Sequence, residues 1–259
     1  MAQQAQKTPG KFSQLFITFY DVSQFIMRFF KEAFLPPYEG RELMRQCYNI
    51  GYRSLLLIST TGLITGLVFT KQSRPSLAEF GATSWLPSLV SIALLRTLAP
   101  LLTALIAAGK VGSSIGAELG SMRVTEQIDA MEVSSTNPMR FLVVTRVLAS
   151  MLMIPLLILY ADALGILGSW AGANIKGDVP FVLFYSQAFS HVSFIDFLPA
   201  VIKSFFFGAI IGLVGCYKGY NAGKGTESVG IAANSAVVTA SLLVIIVDMI
   251  AVQITDMLI

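Results

Sequence analysis

Soft metal ligands are nearly missing from this chain, which has one histidine, His191, and two cysteines, Cys47 and Cys216. That inventory argues against a zinc, haem or iron–sulfur centre built from this chain alone. Charge is scarce as well: 13% of the 259 residues are charged, where an ordinary soluble domain has roughly a quarter. The net charge of +3 is small, and no basic tract points to DNA or RNA. A nucleotide-binding loop is also lacking. The stretch 219–226 superficially looks like a P-loop, but its glycine spacing is one residue short, Lys224 is followed by Gly225, and no strand pattern precedes it. Any ATP chemistry therefore belongs to a partner. No nucleophile or metal cluster supports a membrane-embedded enzyme either.

What the chain has in abundance is apolar sequence. Hydrophobic residues make up 54% of it and the mean hydropathy is +0.70. Long apolar runs recur from Ile50 onward, so the bulk of the protein is expected in a bilayer. Spans are expected at about 50–70, 86–108, 141–170, 197–217 and 229–258, each long enough at ~1.5 Å per residue to cross a hydrocarbon core of ~30 Å. The third is longer than needed and contains Pro155, which predicts a kink, a tilt or an extension beyond the membrane. Between the second and third lies the charge-rich segment 110–140, which cannot face lipid. The mixed stretch 173–196, with Lys176, Asp178, His191 and Asp196, reads as a loop carrying a short amphipathic helix around 181–189.

Upstream of the spans, Phe12, Leu15, Phe16, Phe19, Val22, Ile26, Phe29 and Phe30 alternate with polar residues at a helical period. The aromatic excess and the basic neighbours favour an interfacial helix over 11–34, closed by Pro36 and Pro37. Lys7, Pro9, Gly10 and Lys11 precede it without a small-residue cleavage site, so the N-terminus is expected to remain on the chain and in the cytoplasm. With that end inside, the inner segments hold Lys7, Lys11, Arg28, Lys31, Arg41, Arg45, Arg53, Lys110, Arg123, Arg140, Arg146, Lys218 and Lys224. The outer ones hold only Lys71, Arg74, Lys176 and Lys203.

Three patterns bear on function. Glycines recur four apart at Gly62 and Gly66, at Gly112, Gly116 and Gly120, and at Gly208 and Gly212, a spacing that lets helices touch either within one bundle or across a dimer. In 116–132, Ser121 or Thr125 is a candidate cap for a short helix whose Glu126, Asp129 and Glu132 share one side, with Ile128 and Met131 opposite. Such a helix fits a groove on another protein, and a solvated loop helix is the plainer alternative. Arg96 and Asp248 fall within membrane depth, where a charge marks a functional site or a structural ion pair. Arg53 and Asp162 lie nearer the expected interfaces and carry less weight.

The stretches 94–100, 108–113 and 117–127, with Met131, Glu132, Asn137, Pro138, Lys203, Gly219, Tyr220 and Asp248, resemble the MlaE-type (YrbE-type) permeases, membrane subunits of ABC transporters associated with MCE proteins. The resemblance implies a homodimer that binds a cytoplasmic ABC ATPase, which carries the ATP and Mg, so no cofactor is expected in this non-catalytic chain. It further implies a hexameric periplasmic MCE protein and a cavity between the two permeases. The cargo that the resemblance implies is phospholipid, moved at the inner (cytoplasmic) membrane of a Gram-negative bacterium to maintain outer-membrane lipid asymmetry. On this reading Glu118, Arg123, Glu126, Asp129 and Glu132 form a coupling helix that seats in the ATPase. Arg96, Thr97 and Asp248 are the lipid-binding candidates. The family's Leu-Leu-Arg-Glu-Leu-Gly-Pro stretch carries Thr97 here in place of the glutamate, which removes a carboxylate from any head-group site. The expected architecture is an all-α integral membrane protein: an N-terminal region over 1–48 with its interfacial helix, and a permease domain over 49–259 with about five transmembrane helices. The alternatives are a secondary transporter or channel without an ATPase, and an MCE-type importer of another lipid such as a sterol.

Overall fold

The computed structural model describes residues 11–36, 38–175, 179–190, 192 and 194–258, and among these it contains helices and no strand. Lys7, Pro9, Gly10, Pro37, Lys176, Asp178 and His191 lie outside the described residues, as do the side chains of Lys11, Phe12, Gln14, Leu15 and Asp196. Helix α1 spans Lys11–Ala33 and α2 Gly40–Ile50; a tight turn at Tyr52–Ser54 leads into α3, Leu55–Glu79. The second span is one continuous rod. It is built from α4 (Leu86–Ala93), a π turn (Leu94–Leu98), α5 (Ala99–Ala107), a second π turn (Ala108–Gly112) and α6 (Ser113–Val124). After α7 (Gln127–Val133) come α8 (Thr145–Asn174), α9 (Phe181–Phe189), α10 (Phe194–Tyr220) and α11 (Thr226–Leu258).

Five helical runs have the length and hydropathy of a membrane span, as expected: Gly40–Glu79, Thr83–Val124, Met139–Asn174, Phe197–Tyr220 and Thr226–Met257. The second differs from the sequence reading in one respect. The polar residues from Lys110 to Val124 continue the helix instead of leaving it. A rod of 42 residues reaches roughly 63 Å at ~1.5 Å per residue, about twice the hydrocarbon thickness. Hydropathy falls where such a rod leaves lipid, although its backbone hydrogen bonds run on. Helix α8 also outlasts the membrane and continues through Pro155.

Helix α1 is tied to the bundle by one face. Phe25 and Phe29 are buried, and the Phe25 ring meets Tyr217 edge-on at 5.4 Å. Arg140 donates from Nη2 to Glu32 at 2.7 Å and from Nη1 to the Pro36 carbonyl at 3.0 Å. The other face leaves Phe16, Phe19, Met27 and Phe30 exposed, which suits a helix lying along a membrane surface. The bundle thus has two distinguishable ends. One carries α1, α6, α7 and the turn at 221–225. The other carries α9, held by Ser88 Oγ donating to the Gln187 carbonyl at 2.7 Å, and an Arg74 bond to the Ala173 carbonyl at 2.9 Å.

Helix α8 is the hub, packed between α3 and α10. Lipid removes any hydrophobic drive for helix association, so contact must come from close backbone approach. A Cβ at Gly66 would overlap the Gly165 carbonyl oxygen, and one at Gly208 would lie 2.6 Å from that of Ser150. Gly116 meets Ala233 and Ala236 of α11 in the same way. The glycine spacing of the sequence therefore serves packing within one bundle. Gly66→Ala should cost about 1–3 kcal/mol through overpacking, read as a lowered melting temperature of the purified protein. Gly230→Ala, where the added methyl meets nothing within 4 Å, should leave it unchanged.

Candidate functional site

Two clusters of charged side chains stand out, one inside the membrane span set and one at the α7 end. The first begins with Pro100. Proline has no N–H, so the carbonyl four residues back lacks its α-helical donor. That carbonyl belongs to Arg96, in the π turn, and Lys203 Nζ from α10 donates to it at 2.8 Å. The same ammonium donates to Asp248 Oδ1 of α11 at 2.7 Å, with both side chains under a tenth exposed. Arg96 turns its guanidinium the other way and pairs with Asp256 near the end of α11. Thr97 is half-buried in the same turn. Arg96, Thr97 and Asp248 therefore fall in one region, brought together by Lys203.

Lys203, tallied with the outer charges, falls within the span expected at 197–217. It lies inside α10 and is buried. Nor are Arg96 and Asp248 nearly alone in the membrane, because Lys203, Asp256 and the buried Asp162 accompany them. Lys203 and Asp248 are 45 residues apart, so no helical periodicity links them. The available signal was the rule that an ionisable residue within a span needs a partner, applied to every such residue and not only to the most central.

At the other cluster, α6 and α7 meet at a corner where Glu126 adopts a left-handed backbone, φ +58°. Neither Ser121 nor Thr125 caps α7. Glu126 holds that position, and Thr125 Oγ1 donates back to the Ser121 carbonyl at 2.8 Å. The two-sided pattern of α7 is as its spacing predicts: Ile128 is fully buried, Met131 half-buried, and Glu126, Asp129 and Glu132 are exposed. Arg123 pairs with Asp129 across the corner. Glu118 is engaged from below, accepting from Arg146 Nη2 at 2.9 Å, while Arg146 is 2% exposed and also donates to the Leu142 carbonyl. Arg146, counted only as a topological charge in the sequence, is the buried root of this corner. Glu118 and Asp129 thus both have internal partners.

The bundle of five apolar runs with a charged clasp inside it and an acidic helix presented at one end has the form of a membrane transport subunit. Comparison with known proteins gives the family. The model of the permease MlaE family matches residues 43–254. A probable ABC transporter permease protein of Rickettsia typhi is 37% identical over 211 residues, covering 82% of each chain. Similar probable ABC transporter permeases of Pyropia yezoensis and Synechocystis sp. are 38% and 35% identical over 206 residues, covering 80% of this chain and 78% of theirs. The chain belongs to the MlaE permease family and is an ABC transporter permease, which implies an ATPase partner.

The clasp gives a direct test. Lys203→Met strips Asp248 of its cation in a buried site, which typically costs about 3–5 kcal/mol. Lys203→Met together with Asp248→Leu removes both charges and should recover most of the lost melting temperature. A double variant no more stable than the single one would show that the pair is not coupled.

Proposed function

We propose that this chain is the membrane half of an ATP-driven phospholipid transporter, working as a homodimer with a cytoplasmic ATPase at its α7 end and an MCE-type protein at its α9 end. The setting is the inner membrane of a Gram-negative bacterium, with the N-terminus in the cytoplasm and outer-membrane lipid asymmetry as the purpose. One observation carries the reading: an exposed acidic helix is joined rigidly to the intramembrane clasp. Helix α7 is pinned by Ile128 and by the Arg123–Asp129 pair, and from that corner one uninterrupted rod runs back to Arg96. The rod ends at Val124, 28 residues beyond Arg96, roughly 42 Å at ~1.5 Å per residue. A push on α7 from a closing ATPase therefore moves the π turn that Lys203 holds. ATP and Mg reside on the partner, and Glu126 and Glu132 are the charges of α7 left to meet it.

The cargo follows from the clasp. Lys203 with Asp248, and Arg96 with Asp256, satisfy one another, leaving the spans few groups to replace the hydration of an ion or a sugar. Acyl chains need no such partners. A phosphate head group needs one, and the Arg96 guanidinium supplies a bidentate fork when it exchanges Asp256 for the lipid. Thr97, beside it, adds a hydroxyl where the family pattern has a repelling carboxylate.

Replacing Glu126 and Asp129 by Lys tests the assignment. Both side chains are exposed, and the Arg123–Asp129 pair is a surface pair worth at most about 1 kcal/mol. The permease should keep its melting temperature, lose its copurifying ATPase and lose ATP-dependent phospholipid transfer. Transfer at the parent rate with the ATPase still bound would remove α7 from the coupling role. A parent complex purified without any bound phospholipid would count against the cargo.

A further inference from the structure

Asp162 has no part in the transport reading. It lies on α8, 5% exposed, and its Oδ1 has no hydrogen-bond partner. Lys203 is close enough to act on it electrostatically, yet that ammonium donates to Asp248 and to the Arg96 carbonyl. An acceptor left without a donor in lipid is costly and marks a functional site. Beside Asp162 opens a cavity of about 490 Å³, inside the ~300–1,000 Å³ range of small-molecule sites. Leu95, Leu159 and Ile166 and the rings of Phe189 and Phe197 form its walls, and among the described residues that line it Asp162 is the polar one. Phe189 ends α9, so the cavity sits at the α9 end, remote from α7.

We propose that this cavity binds a neutral lipid alcohol, an apolar skeleton with a single free hydroxyl that donates its hydrogen bond to Asp162. The match is one of kind: a carboxyl on the wall calls for a hydroxyl, and apolar walls call for a body without further polar groups. A phosphate would lie against a carboxyl with no cation among the described residues of the cavity wall, and a head-group ammonium would bring its phosphate with it. The site is thus distinct in chemistry from the phospholipid path proposed above and stands whether or not that path is correct. An open-chain glycerolipid such as a diacylglycerol and a polycyclic alcohol such as a sterol share this chemistry, and binding separates them.

The test uses the whole permease, with its partners, in phosphatidylcholine nanodiscs without ATP. Three probes are titrated: 1,2-dioleoylglycerol, its 3-acetyl ester, which has the same skeleton and no donor, and cholesterol. At least one alcohol should bind, and the ester should bind about ten-fold more weakly than its parent, the worth of one buried hydrogen bond. Asp162→Ala should bring the alcohol down to the level of the ester. Ala163→Phe fills the cavity from an exposed wall position and leaves Asp162 in place, so it should abolish binding without threatening the fold. Preference for dioleoylglycerol assigns the glycerolipid, and preference for cholesterol the polycyclic alcohol. Neither alcohol binding above the ester overturns the proposal, as does binding undiminished in Ala163→Phe. If Asp162→Ala does not fold, the ester comparison and Ala163→Phe decide.

Discussion

Lipid offers a buried charge no hydrogen bond, so an ionisable group inside the bundle must find its partner in the protein or in what the protein binds. Lys203 answers that constraint for three helices at once. It neutralises Asp248 of α11, and it fills the carbonyl that Pro100 leaves open in the second span. The π turn at Leu94–Leu98 is where this happens, and it sets the position of Arg96 toward Asp256. Everything below it on the same rod, through α6 to the corner at Glu126, is placed by that attachment.

Around the clasp the bundle is held by contact and not by solvent exclusion. Helix α8 takes α3 and α10 against its backbone through Gly66, Gly165 and Gly208, with the hydroxyls of Ser150 and Ser169 turned back onto carbonyls of their own helix. Helix α11 is the least enclosed of the five runs. Its outward Leu242, Ile246 and Met249 are left for lipid, or for the second copy in the proposed homodimer.

Much of this was legible in the sequence because a membrane span is a long, uniform signal. The five runs fall where the apolar stretches lie, α9 falls at 181–189, and the buried and exposed sides of α7 follow from the positions of Ile128 and of Glu126, Asp129 and Glu132. What escaped was whatever depends on a distant partner. Lys203 falls within the span expected at 197–217, but neither hydropathy nor periodicity reports its tie to Asp248, and Arg146 hid its link to Glu118 for the same reason. The polar end of the second rod was separated from the span in the sequence because lipid contact ends before the helix does. Asp162 was given little weight from its place near an expected interface, and only the fold shows that its oxygen is buried and unpartnered.

The central claim is that force enters at α7 and reaches the membrane through the second rod. Site-specific photocrosslinking from exposed positions at the two ends, Glu132 on α7 and Val182 on α9, reports it most directly in membranes containing the ATPase partner. A crosslink to the ATPase from Glu132 and none from Val182 is the predicted result. A crosslink from Val182, or an ATPase reached from neither position, would contradict the account.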